Sequence, residues 1–192
     1  MSRTKEYDRE TVLRRAVQVF WAHGLAGTSM AQLVRATGLN TASMYQEFGG
    51  KEEFYLAVLE AAYHMVYAPM LEPMQRQPGL VAIKLYLGKM GEYAARADYG
   101  GCIYLNNLAG RNDVPERVLR QVDDLCRQIH QLLERSLTAA QQAGDIPAGR
   151  DPKALASYVG CFIQGLTLFG RTARHKSQIP GVVDQLVKSL AH

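Results

Sequence analysis

The chain has 192 residues, 47% of them apolar and 21% charged, with a formal net charge of +4. That is enough apolar content for one or two packed domains, but no stretch reaches the roughly 18 uninterrupted apolar residues that a membrane span requires, and Met1 to Asp8 lack the apolar segment of a secretory signal. Cys102, Cys126 and Cys161 are odd in number and widely spaced. They form no disulfide framework or zinc-ligand pattern, so a reduced, cytoplasmic protein without metal or cofactor is expected.

Every periodic segment has a helical period, and an all-α fold of about nine helices follows. The first helix carries Val12, Ala16, Val19 and Phe20 on one face. Ser29, with Gln32 three residues on, then writes a capping box at the start of a second helix, whose inward face is Leu33 and Val34. Gly38 stands where the chain must leave that helix in a left-handed conformation. Asn40 is a strong N-cap type for the third helix, and Leu39 and Met44 are spaced as a hydrophobic staple across its start. Met44 and Phe48 face inward together, which leaves Thr41, Ala42, Ser43 and Gln46 outward, small or polar and able to approach a base edge. Two short helices at a steep angle, the second with a polar face, meet the requirement for docking in a DNA major groove.

Lys51 opens the fourth helix ahead of Glu52 and Glu53. A cation at the positive end of a helix is mildly disfavoured unless a phosphate shares the site. A solvated lysine paired with a nearby glutamate is the other reading. The fourth helix runs through Leu56, Leu59 and Tyr63 to about Tyr67, after which Pro69, Pro73 and Pro78 break the chain. This places the boundary between a helix-turn-helix domain, residues 1–67, and a helical body, residues 68–192. Lys and Arg outnumber Asp and Glu by only 7 to 6 through residue 55, and by 15 to 12 beyond it, so charge does not locate a DNA face. Arg3 and Lys5 in the N-terminal arm are candidates for further phosphate or minor-groove contacts.

The body reads as a helix from about Leu80 to Ala97, a short one from Ile103 to Ala109, and a long one from Pro115 to near Gly144. The long helix carries Val118, Val122, Leu125, Ile129, Leu132 and Ser136 down one face. Asp151 and Pro152 cap and open another, reaching roughly Arg174, and a last helix covers about Pro180 to Leu190. Gly160, Gly165 and Gly170 recur beside Phe162, Leu166 and Phe169. Each glycine costs a helix roughly 1 kcal/mol against alanine, so close helix approach is expected there, within the chain or between two chains.

Residues 8–60 resemble the N-terminal domain of TetR-family transcriptional regulators. The resemblance is carried by Phe20-Trp21-Ala22-His23-Gly24-Leu25, Gly27-Thr28-Ser29, the Gly38-Leu39 turn, Tyr45 with Phe48, and Lys51 with Phe54. It implies that Ser29, Tyr45 and Lys51 hold phosphates and that Thr41, Ala42 and Gln46 meet bases. With the outward Ser43 and the cap Asn40, these form the candidate DNA-binding set. Glu47 departs from the family pattern, which often has histidine or another aromatic or basic residue there. A carboxylate at that place either accepts from a cytosine amine or points away. The resemblance further implies a homodimer through the last two long helices, which suits the symmetry of a palindromic double-stranded operator, and a pocket in the body for a small effector.

Candidate effector residues are Tyr86, Met90, Tyr93, Tyr104, His130, Tyr158 and Phe162, whose polar tips on apolar walls suit a small hydrophobic molecule. Cys102 is added because it precedes a predicted helix start, where a thiol's pKa can fall, and because Gly101-Cys102-Ile103 with Asn106 resembles a TetR subgroup with a Gly-Cys-Leu-x-x-Asn segment. It reads either as a sensor of electrophiles or as a buried small hydrophobe. The function expected is a ligand-responsive, sequence-specific DNA-binding regulator, a repressor released from its operator by an effector. A helical protein-binding adaptor is the alternative. An enzyme is disfavoured because no nucleophile elbow, P-loop or metal pair is written in the sequence.

Overall fold

The computed structural model describes residues 7–108 and 114–191. Arg3, Lys5, Ala109 and His192 lie outside the described residues. Among those described there is no strand, in keeping with the all-α expectation. By their packing the residues divide into two compact units: Met1–Tyr67 with Cys102–Val122, and Ala68–Gly101 with Asp123–His192.

The first unit is built on α1 (Arg9–Gly27), α2 (Met30–Thr37), α3 (Thr41–Phe48) and α4 (Lys51–Ala62). Asp8 caps α1, its carboxylate accepting from the amides of Glu10 and Thr11. The helical path of α1 is interrupted at Gly24, whose φ of 67° is left-handed. That interruption lets α1 end and turn into the α2 entry. Both α1 and α3 lie on α4, and α2 lies on α1. Their shared core is Val12, Ala16, Val17, Phe20, Leu33, Met44, Phe54, Tyr55, Val58 and Leu59.

The fourth helix stops being α-helical earlier than its apolar pattern predicts. It ends at Ala62 and passes into one π-helical turn, Tyr63–Tyr67. The predicted proline break is also corrected, because α5 (Ala68–Arg76) contains both Pro69 and Pro73. Pro69 stands at the second residue, where the N–H it lacks would have no partner within α5. Pro73 strips the Pro69 carbonyl of its intrahelical donor, and the Lys89 ammonium donates to that carbonyl at 2.9 Å. A side chain twenty positions away thus supplies the hydrogen bond that a proline removes.

The second unit adds α6 (Leu80–Ala95), the part of α7 (Glu116–Gln142) from Asp123 onward, α8 (Pro152–Phe169) and α9 (Ile179–Ala191). Here α6 is central, packed by α5, α8 and α9. The predicted helix from Ile103 to Ala109 is instead a turn followed by a 3-10 turn over residues 105–108. Likewise α8 stops at Phe169 rather than near Arg174, and a 3-10 helix, Ala173–Gln178, follows.

That stop falls at Gly170, where the chain passes too close to α6 for a side chain. A Cβ there would meet the Ala94 carbonyl oxygen at 2.8 Å and the Tyr99 ring at 3.0 Å. Lys176 then turns back to cap α6, donating to the Ala97 carbonyl at 3.0 Å and to that of Arg96. The three glycines expected to share one packing role therefore separate. Gly170 serves contact within the chain, whereas Gly160 and Gly165 have nothing within 4 Å of an added Cβ.

Candidate nucleic-acid interface and candidate effector residues

The reading pair is assembled by local hydrogen bonds. Ser29 accepts from the Gln32 amide at 3.2 Å, and Gln32 Oε1 accepts from the Ser29 amide at 2.7 Å, closing the predicted box. Gly38 takes φ 78°, its amide donating back to Val34. Asn40 Oδ1 accepts from the Ser43 amide at 2.8 Å. Leu39, Met44 and Phe48 are buried, so α3 is held by one face. On its other face Thr41, Ala42, Tyr45 and Gln46 are exposed, with Ser43 half-buried at the edge. Tyr45 is 51% exposed, which is unusual for an aromatic residue on a short packed helix.

Lys51 is the first residue of α4, behind a Gly50 cap that supplies no side-chain hydrogen bond. The glutamates beside it are engaged elsewhere, since Arg117 lies 3.3 Å from Glu53 and 3.9 Å from Glu52. Among the described residues Lys51 has no ion-pair partner, which leaves its ammonium and the free amides of the first turn available to an anion. Glu47 points away from this face. Its carboxylate lies 3.4 Å from Arg9 Nε and its side chain is only 14% exposed. The Tyr7 phenol also hydrogen-bonds to it, and burial followed by that bond pushes the phenol's pKa up.

The candidate effector residues fall in both units. In the first unit Cys102 and Tyr104 are buried with Tyr55, Tyr67 and Asn107. Tyr67 and Cys102 share a hydrogen bond of 3.0 Å. Tyr104 donates to the Leu59 carbonyl at 2.7 Å, and Tyr55 donates to Asn107 Oδ1 at 3.0 Å. The Asn107 amide nitrogen donates to the carbonyls of Ile103 and Tyr104. The segment after Gly101 is thus tied to α4 by a set of mutually satisfied polar groups. Burial pushes the Tyr55 phenol up to about 12. Burial likewise raises Cys102, although Tyr67 and two backbone amides act to lower it. Sequence reasoning missed Tyr55, Tyr67 and Asn107. The available signal was that a tyrosine on the apolar face of a helix needs a partner for its hydroxyl.

In the second unit Tyr86 and Met90 are buried on α6, and Tyr93 stands edge-on to Tyr99 at 5.3 Å. His130 lies on α7, 3.9 Å from Glu134, while Tyr158 on α8 is 49% exposed and Phe162 half-buried. An open cleft of about 400 Å³ on α7, lined by Gln131, Glu134, Arg135, Thr138, Ala139 and Gln142, contains none of the candidates. Among the described residues no helix is long and apolar enough to cross a membrane, and no group of His, Cys, Asp and Glu is placed to hold a metal.

Two family models match the chain. Residues 12–58 match that of bacterial regulatory proteins, tetR family, and residues 79–184 match the tetracyclin repressor-like C-terminal domain. The chain is 28% identical over 176 residues to the HTH-type transcriptional repressor ComR of Escherichia coli (strain K12), covering 88% of this chain and 82% of ComR. Its fold is similar to a cysteine mutant of the TetR family transcriptional regulator CifR complexed with 26 bp double-strand operator DNA. The TM-score is 0.85 at 22% identity, with 97% of this chain and 99% of that one covered. It is also similar to the reduced form of E. coli NemR, with a TM-score of 0.79 at 20% identity and coverage of 93% and 94%.

Proposed function

This chain belongs to the tetR family of bacterial regulatory proteins, and from that premise we infer how it works as a DNA-binding transcriptional regulator. It enters successive major grooves as a symmetric dimer with α3 as the reading helix. Thr41, Ala42, Ser43 and Gln46 meet base edges. Ser29, Asn40, Tyr45 and Lys51 fix phosphates. The observation that carries this reading is the exposed face of α3, where Tyr45 presents an unburied ring and hydroxyl, together with Lys51 at the start of α4, which has no ion-pair partner among the described residues.

The direct test is selection of genomic duplexes by the purified protein at near-physiological salt, followed by sequencing. A recurrent palindrome is expected, and diffuse binding that vanishes at moderate salt would favour the adaptor reading. On the selected duplex Tyr45→Ala should weaken binding by about a hundredfold or more, each protomer of the dimer losing one hydrogen bond to a charged group. Its melting temperature should stay unchanged, because the side chain is exposed. A fall in melting temperature instead would mean that Tyr45 supports the fold.

Dimerisation through α8 and α9 is supported by an exposed stripe on α8. Ala154, Tyr158, Cys161, Gly165 and Leu168 recur at spacings of four and three and are exposed together. That pattern suits a helix seam. Leu168 is 69% exposed, so Leu168→Glu should leave the protomer folded and abolish the dimer in sedimentation equilibrium. A dimer that persists would place the interface elsewhere.

The effector we propose is small and mostly apolar, and the protein is a repressor that such a molecule releases by favouring a dimer whose α3 helices no longer match the operator spacing. Of the two readings of Cys102, its burial and raised pKa support a packed, hydrogen-bonded thiol in the resting protein over a resting thiolate.

A further inference from the structure

We propose that Arg9 is a DNA-backbone contact of this protein, its guanidinium held at the flank of the reading helix by Glu47 and Phe48. The proposal rests on the DNA-binding reading given above and adds a residue to it.

Arg9 is the first residue of α1, yet its side chain lies against the last turn of α3. Its Nε stands 3.4 Å from the Glu47 carboxylate. The guanidinium also lies over the Phe48 ring, 5.5 Å from its centroid. Both holding groups are themselves fixed. Phe48 is buried, and the Glu47 side chain is only 14% exposed and accepts from the Tyr7 phenol. One edge of the guanidinium is thus anchored. No other carboxylate among the described residues pairs with Arg9, and its terminal amino groups donate to none of their atoms.

Stability does not account for this arrangement. The Arg9 side chain is 53% exposed, and an ion pair so open to water contributes little to folding. A cation in the first turn of a helix is also mildly disfavoured by the helix dipole. Position does account for it. Glu47 follows Gln46 and lies one turn beyond Ser43, so Arg9 stands beside the face of α3 assigned to base edges. A helix about 10–12 Å across nearly fills a major groove about 12 Å wide, and phosphates line the walls of that groove. A cation on the flank of the helix therefore meets the backbone rather than the bases. Arginine suits the task, because its planar fork offers several donors and loses little freedom when it is already stacked.

The test uses the full-length chain and the duplex that the wild-type protein selects. Affinity is measured over a range of salt, with the melting temperature of each variant beside it. Arg9→Ala should weaken binding by about a hundredfold or more, one charge-assisted hydrogen bond being lost per protomer. The dependence of log affinity on log salt should become shallower by about 2, one phosphate contact being lost from each of two protomers. The melting temperature should hold. Arg14→Ala is the control for net charge, because Arg14 is similarly exposed on α1 but its terminal nitrogen lies 2.9 Å from Glu10. It should change affinity little. Arg9→Lys keeps the charge without the stacked fork, so it should keep the wild-type salt dependence and lose part of the affinity. Glu47→Gln should weaken binding when Arg9 is present and should not weaken it in the Arg9→Ala background.

Arg9→Ala with wild-type affinity and salt dependence overturns the proposal. So does a fall in melting temperature with the salt dependence unchanged, which marks a structural role. An equal loss from Arg14→Ala overturns it too, because net charge would then be the cause. A wild-type protein that selects no duplex removes the DNA-binding reading itself, whereas a selected duplex that Arg9→Ala binds normally removes this proposal alone.

Discussion

Phe54→Ala is expected to destabilise the protein by about 3–5 kcal/mol, the range for emptying a fully packed phenylalanine site. Phe54 is 1% exposed. Its ring lies 4.3 Å from that of Phe48 on α3 and 6.0 Å, edge-on, from that of Phe20 on α1. Those neighbours are the inward anchor of the reading helix and the core of its supporting helix, so the cavity would open where α1, α3 and α4 meet. Affinity for the selected duplex should fall together with stability, because α3 loses the ring against which Phe48 sets its tilt. Tyr45→Ala should show the reverse pattern, losing affinity at constant stability. Urea denaturation of both variants beside a binding titration separates them. A Phe54→Ala protein within about 1 kcal/mol of wild type would mean that the site collapses around the missing ring.

The second large effect is expected at Asn107, where one amide satisfies three buried partners. Its oxygen accepts from Tyr55, and its nitrogen donates to the carbonyls of Ile103 and Tyr104. Alanine would leave Tyr55 with only a 3.4 Å contact to the Ile103 carbonyl, whereas the Tyr104 carbonyl would keep the backbone amide of residue 107 at 3.1 Å. With the Tyr55 hydroxyl the group chiefly left short of a partner, the loss should be about 1–3 kcal/mol. Tyr55→Phe removes the other end of the same bond, so the double variant should lose less than the sum of the singles. A local consequence is also expected. With Cys126 and Cys161 replaced by serine, the remaining Cys102 thiol should react faster with an alkylating reagent once Asn107 no longer ties its segment to α4. Unchanged alkylation in Asn107→Ala would show that the thiol is shielded independently of this network.

How far the sequence could be read followed the range of the interactions involved. The box at Ser29 and Gln32, the Gly38 turn and the Asn40 cap are bonds between residues three or four positions apart, so residue type and spacing almost determine them. The inward set Leu39, Met44 and Phe48 follows from the same periodicity, and the exposed face of α3 is its complement. The all-α class and most helix starts were legible for that reason.

Tertiary contacts decided the rest. Pro69 and Pro73 read as a break because nothing nearby compensates a missing N–H, yet Lys89 reaches the stranded carbonyl and α5 continues. Gly170 gives no local hint that Ala94 and Tyr99 crowd it, while Gly160 and Gly165 have the same composition around them and open space. The direction of Glu47 was undetermined in the sequence because its partner Arg9 lies 38 positions earlier, and the helix allows the carboxylate either rotamer. The sequence left Cys102 open between an activated thiol ahead of a helix and a buried small hydrophobe; it lies buried beside Tyr67, where burial raises its pKa. Local hydrogen bonding, then, let the sequence alone determine the reading motif and the helical class. Which polar groups are paired, which prolines are tolerated and which glycines are crowded depended on residues far apart in the chain, whose meeting only the packed fold decides.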